Sequence, residues 1–231
     1  MPEGVAARSR FLPKVCLEAL SPEAWSFAMN YILSHWPLWF VCLAMIVAAV
    51  IDGWKLKVPN WLTFPIILSG WLLGLAHDWN WLPESTGIGG IGAALAGTFL
   101  GMALLLPLYS IGGVGGGDVK MQMGFGSWVG AFYGLSRQPE THPGALWIIF
   151  YAFLLAAVIG GVLALGMIVL RGQFTQNLQN TKSILGDLVT STGVHDVAEK
   201  AARRKPTLQL LPYGIPLCLG YIAFLLYQHQ G

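Results

Sequence analysis

Six stretches of this chain run apolar with no charge inside them: 36–52, which Asp52 closes, and 60–76, 88–110, 121–135, 145–170 and 210–227. At about 1.5 Å rise per residue most of them approach the ~30 Å needed to cross a hydrocarbon core as a helix. The pattern predicts an all-α membrane protein, a polytopic bundle of about six transmembrane helices. The fourth stretch is the weakest, because it is short and carries Gln122 and several glycines; it is expected to be tilted or partly interfacial. Ahead of the first stretch, Ser21-Pro22-Glu23 has the form of a helix start, an N-cap serine followed by proline. Trp25, Met29, Ile32, Leu33 and Trp36 follow at helical spacing, which predicts an amphipathic helix over 22–35 lying at the membrane interface. The competing reading is a simple extension of the first span.

Composition agrees with the pattern. Of 231 residues, 55% are hydrophobic and 10% charged, against about 25% charged in a soluble domain. No basic stripe with interleaved aromatics is present, so nucleic acid is not an expected partner; the lipid bilayer is. The N-terminus lacks the apolar core and small-residue cleavage site of a secretory signal. Cys16, Cys42 and Cys218 stand far apart, with no CxxC pair to build a zinc site. No metal and no cofactor is expected.

The basic residues orient the bundle. Placing the Asp52 end in the cytoplasm gives that side Lys55, Lys57, Lys120, Arg171, Lys182, Lys200, Arg203, Arg204 and Lys205, nine of the 13. The opposite loops hold Arg137, and Arg8, Arg10 and Lys14 lie far ahead of the first span. The loop His77 to Glu84, with Trp79 and Trp81, then suits the outer interfacial belt. Residues 171–209 form one long polar segment on the cytoplasmic side. Within it 194–205 reads either as a basic helix on anionic headgroups or as a solvated linker.

Against this background two acids stand out among only 11. Asp52 ends the first apolar run. Asp118 follows the run 88–111 and closes a turn containing Gly112, Gly113, Gly115, Gly116 and Gly117. An ionisable group at the edge of the hydrocarbon is costly and points to function. Two carboxylates that meet share a proton, the chemistry of an aspartic protease. The glycines permit close backbone approach. A phosphate loop would need a lysine where Asp118 stands, a dinucleotide fingerprint would need a soluble βαβ unit, and a plain hinge is the bland alternative. Downstream of Asp52 lie Lys55, Lys57, Pro59 and Asn60, the last two punctuating the start of the next helix, and then Thr63.

Together these segments resemble the prepilin peptidases, the GxGD class of membrane aspartic proteases. The resemblance rests on Asp52 with Lys55, Pro59, Asn60 and Thr63, on the glycine turn with Asp118 and Lys120, and on Leu211-Pro212-Tyr213-Gly214 opening the last span. It covers residues 36–228. It implies a transmembrane peptidase domain over that range, with 1–35 as an N-terminal extension. Asp52 and Asp118 would be the catalytic pair, acting with an activated water to remove the basic leader of prepilins or pseudopilins at the cytoplasmic face of the bacterial inner membrane. Larger members of the family carry paired CxxC motifs and methylate the new N-terminus. Lacking those cysteines, this chain resembles the short, peptidase-only form of tight-adherence (Flp-type) pilus systems. A catalytically inactive assembly component and a small proton-coupled transporter remain the other readings of an intramembrane acid pair. The transporter reading would want acids near mid-span and internal pseudo-symmetry. A presenilin-type protease would want its first acid deeper in the helix.

Overall fold

A computed structural model describes Ser26, Met29, Asn30 and residues 33–55, 57–110, 113–135, 144–171 and 213–230. Two compact units divide the chain, Met1–Trp36 and Pro37–Gly231. Among the described residues the fold is all-helical, without strands. From Trp36 onward the described residues form six α-helices: α1 (Trp36–Lys55), α2 (Asn60–Asp78), α3 (Ile91–Ser110), α4 (Gly116–Tyr133), α5 (Ala145–Arg171) and α6 (Gly214–Gln230), with one 3₁₀ turn at Glu84–Thr86 before α3. Each corresponds to one of the six apolar stretches. Among the described residues three segments are long and apolar enough to cross a membrane: Trp36–Lys55, Glu84–Ser110 and Ala145–Met167. This is the build of an all-α membrane protein. Of the expected helix over 22–35, Ser26, Met29, Asn30, Leu33 and Ser34 are described and helical, His35 is a bend, and the rest lies outside the described residues. The polar segment 172–209 lies outside them too, as do Cys16 and Arg137.

The largest departure from the sequence reading is α4. Expected over 121–135 as a short, partly interfacial element, it starts at Gly116 and is the most enclosed helix of the bundle. Every residue from Met121 to Tyr133 is buried except Met123, which is partly so. It packs against α2, α3, α5 and α6. The reason is its small residues. Gly126 and Gly130 face Gly97 and Ala93 of α3, running antiparallel to it. A Cβ on Gly97 would strike the Gly126 carbonyl, one on Gly126 the Gly97 carbonyl, and one on Gly130 the Ala93 carbonyl. One register further along, a Cβ on Gly101 would come within 2.7 Å of the Gln122 carbonyl. Small residues four apart on both helices thus let the two backbones touch, the usual device for holding helices together where lipid removes the hydrophobic drive. On its other side α4 meets α2, where Gly124 lies against Ile66 and Gly70 against the Ser127 hydroxyl. The Trp128 indole donates to the Ile66 carbonyl at 2.9 Å.

Gly126→Val is therefore expected to destabilise the bundle by about 3 kcal/mol, the upper range for overpacking a core. Denaturant titration of the purified protein in bicelles checks this, and a midpoint equal to wild type would rule out so close an approach.

The helices α3 and α6 complete the frame around α4. The Trp71 indole donates to the Thr98 hydroxyl at 3.0 Å, fixing α2 to α3. Tyr221 of α6, fully buried, stacks on Phe125 with ring centroids 4.0 Å apart. Helix α1 joins through side chains, Phe40 lying 4.6 Å from Trp128 between ring centroids. At the end of the bundle away from Asp52, Asp78 accepts the Ile91 N–H at 2.9 Å and so caps α3. The His77 ring nitrogens lie 3.1 Å from the Gly89 carbonyl and 3.2 Å from the Thr86 hydroxyl. Trp79 and Trp81, expected at an interfacial belt, are exposed and pack on each other.

Candidate active site

Asp52 lies one turn inside α1, which continues to Lys55, rather than at its last residue. Its side chain is buried, 4% exposed. A buried carboxylate must find donors to replace water, and Asp52 finds one on the far end of the chain: Oδ2 accepts the Gly214 backbone N–H at 3.0 Å. Gly214 is the first residue of α6, so the carboxyl sits where a helix presents free N–H groups. The fit requires glycine. A Cβ there would lie 2.9 Å from Oδ2 and 3.1 Å from the Asp52 Cβ.

Asp118, read from the sequence as closing the glycine turn between two spans, belongs to the first turn of the second of them, which starts at Gly116 rather than at 121. Gly115 is the N-cap of α4, extended at φ −77° and ψ 150°, and its N–H donates to Asp118 Oδ2 at 3.2 Å. That is half of a capping box, an acid at the third helical position reaching back to the cap. Asp118 is buried as well, 5% exposed, and its Oδ1 has no hydrogen-bond partner among the described residues. The glycine turn lets the start of α4 come against the α1–α2 connection. A Cβ on Gly117 would lie 3.0 Å from both Cβ and N of Val58.

Asp52 lies within electrostatic range of Asp118, across the helices. The third motif closes on them. Tyr213, half-buried, interacts electrostatically with Asp118, and its neighbour Gly214 holds Asp52. Segments 66 and more residues apart in sequence, Asp52, Asp118 and Tyr213-Gly214, thus form one cluster at one end of the bundle.

Of the remaining motif residues, Lys120, Asn60 and Pro59 have structural roles. Lys120 Nζ donates to Asn60 Oδ1 at 2.8 Å and lies 4.9 Å above the Phe64 ring. It thereby ties α4 to the first turns of α2, a pairing that nothing in the sequence announces. Pro59, extended at φ −74° and ψ 144°, is the N-cap of α2. Thr63 is buried without a partner for its hydroxyl. Lys55 is exposed beside the site, and so is Gly113. Gly116 packs under the Tyr109 ring. Gly112 and Pro212 lie outside the described residues. Gln122, read as a weakness in the fourth span, is fully buried one turn below Asp118, and neither amide atom has a hydrogen-bond partner among the described residues. Its signal was a lone amide in an apolar run. Cys42 and Cys218 are free thiols. Among the described residues no three His, Cys, Asp or Glu side chains gather as a metal site.

The link between Lys120 and Asn60 is measurable. Lys120→Met and Asn60→Ala should each lower stability, with a coupling of about 1 kcal/mol in the double variant, as expected for one half-exposed charged hydrogen bond. Strict additivity of the two losses would remove the pairing.

Comparison with known proteins follows the same residues. A family model described as the type IV leader peptidase family matches residues 39–165, more than half of the chain. The matched part contains Asp52, Asn60, Asp118 and Lys120 and stops short of Tyr213-Gly214. No curated protein and no solved structure matches.

Proposed function

The chain belongs to the type IV leader peptidase family, and on that premise we propose that it is an aspartic endopeptidase whose dyad is Asp52 and Asp118. The observation that carries the proposal is two buried carboxyls from different helices within electrostatic range of each other, each accepting one glycine N–H, with Oδ1 of Asp118 unpartnered among the described residues. Two such groups share one proton and titrate as a unit. The ionised member takes a proton from water, and the resulting hydroxide adds to the scissile carbonyl, which the protonated member polarises. Collapse of the tetrahedral intermediate sends a proton to the leaving amide nitrogen. The products are a new carboxyl on the leader and a free amine on the mature chain. No cofactor enters these steps.

The substrate is a prepilin or pseudopilin, with its basic leader in the cytoplasm and its apolar helix in the bilayer. The excess of lysine and arginine on the Asp52 side supports a cytoplasmic site in a multi-pass protein of the bacterial inner membrane. Residues 36–228 are the peptidase domain. Methyl transfer is not proposed, because the chain has no CxxC pair. The transporter alternative wants acids near mid-span, whereas Asp52 lies one turn from the end of α1 and Asp118 in the first turn of α4.

Co-expression with a prepilin of the same genome, followed by intact-mass measurement, tests the proposal. The expected result is loss of the leader mass. If no prepilin is processed while the protein is folded in membranes, the assembly-component and transporter readings take its place.

A further inference from the structure

We propose that an apolar groove between α1 and α6 is the seat of the substrate's apolar helix, an inference that rests on the peptidase reading above. The groove has a volume of about 610 Å³. Its walls are Ile46, Val50 and Gly53 from α1 and Ile215, Leu219 and Ile222 from α6. On both helices these recur every three or four residues, so the groove follows the helix axes for about two turns, or ~10 Å. Its floor is Ala49 and Cys218, both buried and both small. A floor of small residues between taller walls admits another helix closely.

Continuity with the site identifies the occupant. Gly53 follows Asp52, and Ile215 follows Gly214, whose N–H holds Asp52. At that point the two helices meet, a Cβ on Gly53 lying 3.4 Å from Ile215 Cδ1. One end of the groove is therefore the catalytic cluster itself. Among the described residues no charged side chain lines it. An extended peptide laid along it would lose hydration on unpaired backbone groups, whereas a helix arrives with its backbone already satisfied. A substrate helix in the groove would end at Asp52, where its chain must unwind to expose the scissile bond. The leader would leave past Trp54, which stands at the mouth 85% exposed. Helix α5 has an apolar outer face as well, including Val162, but Val162 does not line the groove.

Wall residues test this without disturbing the core, since Val50 and Leu219 are both about half exposed. Val50→Trp and Leu219→Trp should raise KM for full-length prepilin by about tenfold with little change in kcat, the loss of roughly one good helix contact. Val162→Trp should leave both unchanged. A second measurement reads position directly. In Asp118→Asn protein with Cys16 and Cys42 replaced by serine, single cysteines are scanned along the prepilin's apolar helix. Disulfides to Cys218 are expected to recur every three to four positions. The inference is overturned if both tryptophan variants keep wild-type KM and no substrate position joins Cys218. It is equally overturned if the variants lower kcat alone, or if Cys218 joins only Cys218 of a second copy. In each of those cases cleavage by the wild type leaves the peptidase reading standing. Absence of cleavage by the wild type removes both.

Discussion

Asp52→Asn and Asp118→Asn are each expected to lower prepilin cleavage by about 10³-fold or more, with the protein still folded in the membrane. The substitution keeps the shape of each side chain. Asparagine can still offer an oxygen to the Gly214 or Gly115 N–H, so the helix-end contacts at 3.0 and 3.2 Å have a replacement acceptor. What is lost is proton exchange. An amide neither takes a proton from water nor lends one to the carbonyl, and general acid–base catalysis contributes about 10²–10⁴-fold for each such group. The double variant should be hardly worse than either single one, because groups that act as a unit lose most of their effect together. Single-turnover cleavage of purified prepilin, alongside circular dichroism of each variant, decides the matter. Near-normal cleavage by either variant would sink the dyad. Losses that multiply in the double variant would mean that the two carboxyls work separately.

The helices were legible because an apolar run of membrane length has few other outcomes. Their ends were less so. Asp118 reads as the close of the glycine turn, outside a helix expected from 121, since nothing in a row of glycines marks where the next helix begins; the cap at Gly115 is set by backbone geometry that five glycines leave open. Helix α4 is found where the fourth stretch predicts a helix, but its burial is hidden in the sequence for a related reason. Averaged hydrophobicity penalises glycine and glutamine. Burial here comes instead from backbone contact at Gly126 and Gly130, and the informative pattern was small residues at spacing four on both partners: Ala93, Gly97 and Gly101 on one, Gly126 and Gly130 on the other. At the site, the two acids and the Tyr213-Gly214 pair stood out as motifs, and the fold brings them together. The partnership of Lys120 with Asn60 did not stand out. Two polar side chains 60 positions apart carry no sign of each other until α2 and α4 are packed.

Gly214→Ala should be the most damaging single change outside the two acids, lowering kcat by about 10²-fold, the typical cost of a catalytic group displaced by about 1 Å. The glycine serves two ends at once. Its N–H holds Asp52 Oδ2, and the absence of a side chain lets the carboxyl lie directly against the α6 backbone. A methyl group would sit 2.9 Å from that oxygen and 3.2 Å from its carbon, closer than ordinary van der Waals contact. Either α6 backs away, lengthening the 3.0 Å hydrogen bond, or the carboxyl rotates towards Asp118. Both routes misalign the pair. Stability should change far less, because α6 remains anchored by Leu217, Tyr221 and Leu225 in the core. The signature is therefore a fall in kcat with KM for prepilin nearly unchanged and the unfolding midpoint close to wild type. If Gly214→Ala cleaves normally, the N–H of residue 214 does not position Asp52. If it unfolds the protein, the glycine is a packing residue first, and its contact with the carboxyl is incidental to catalysis.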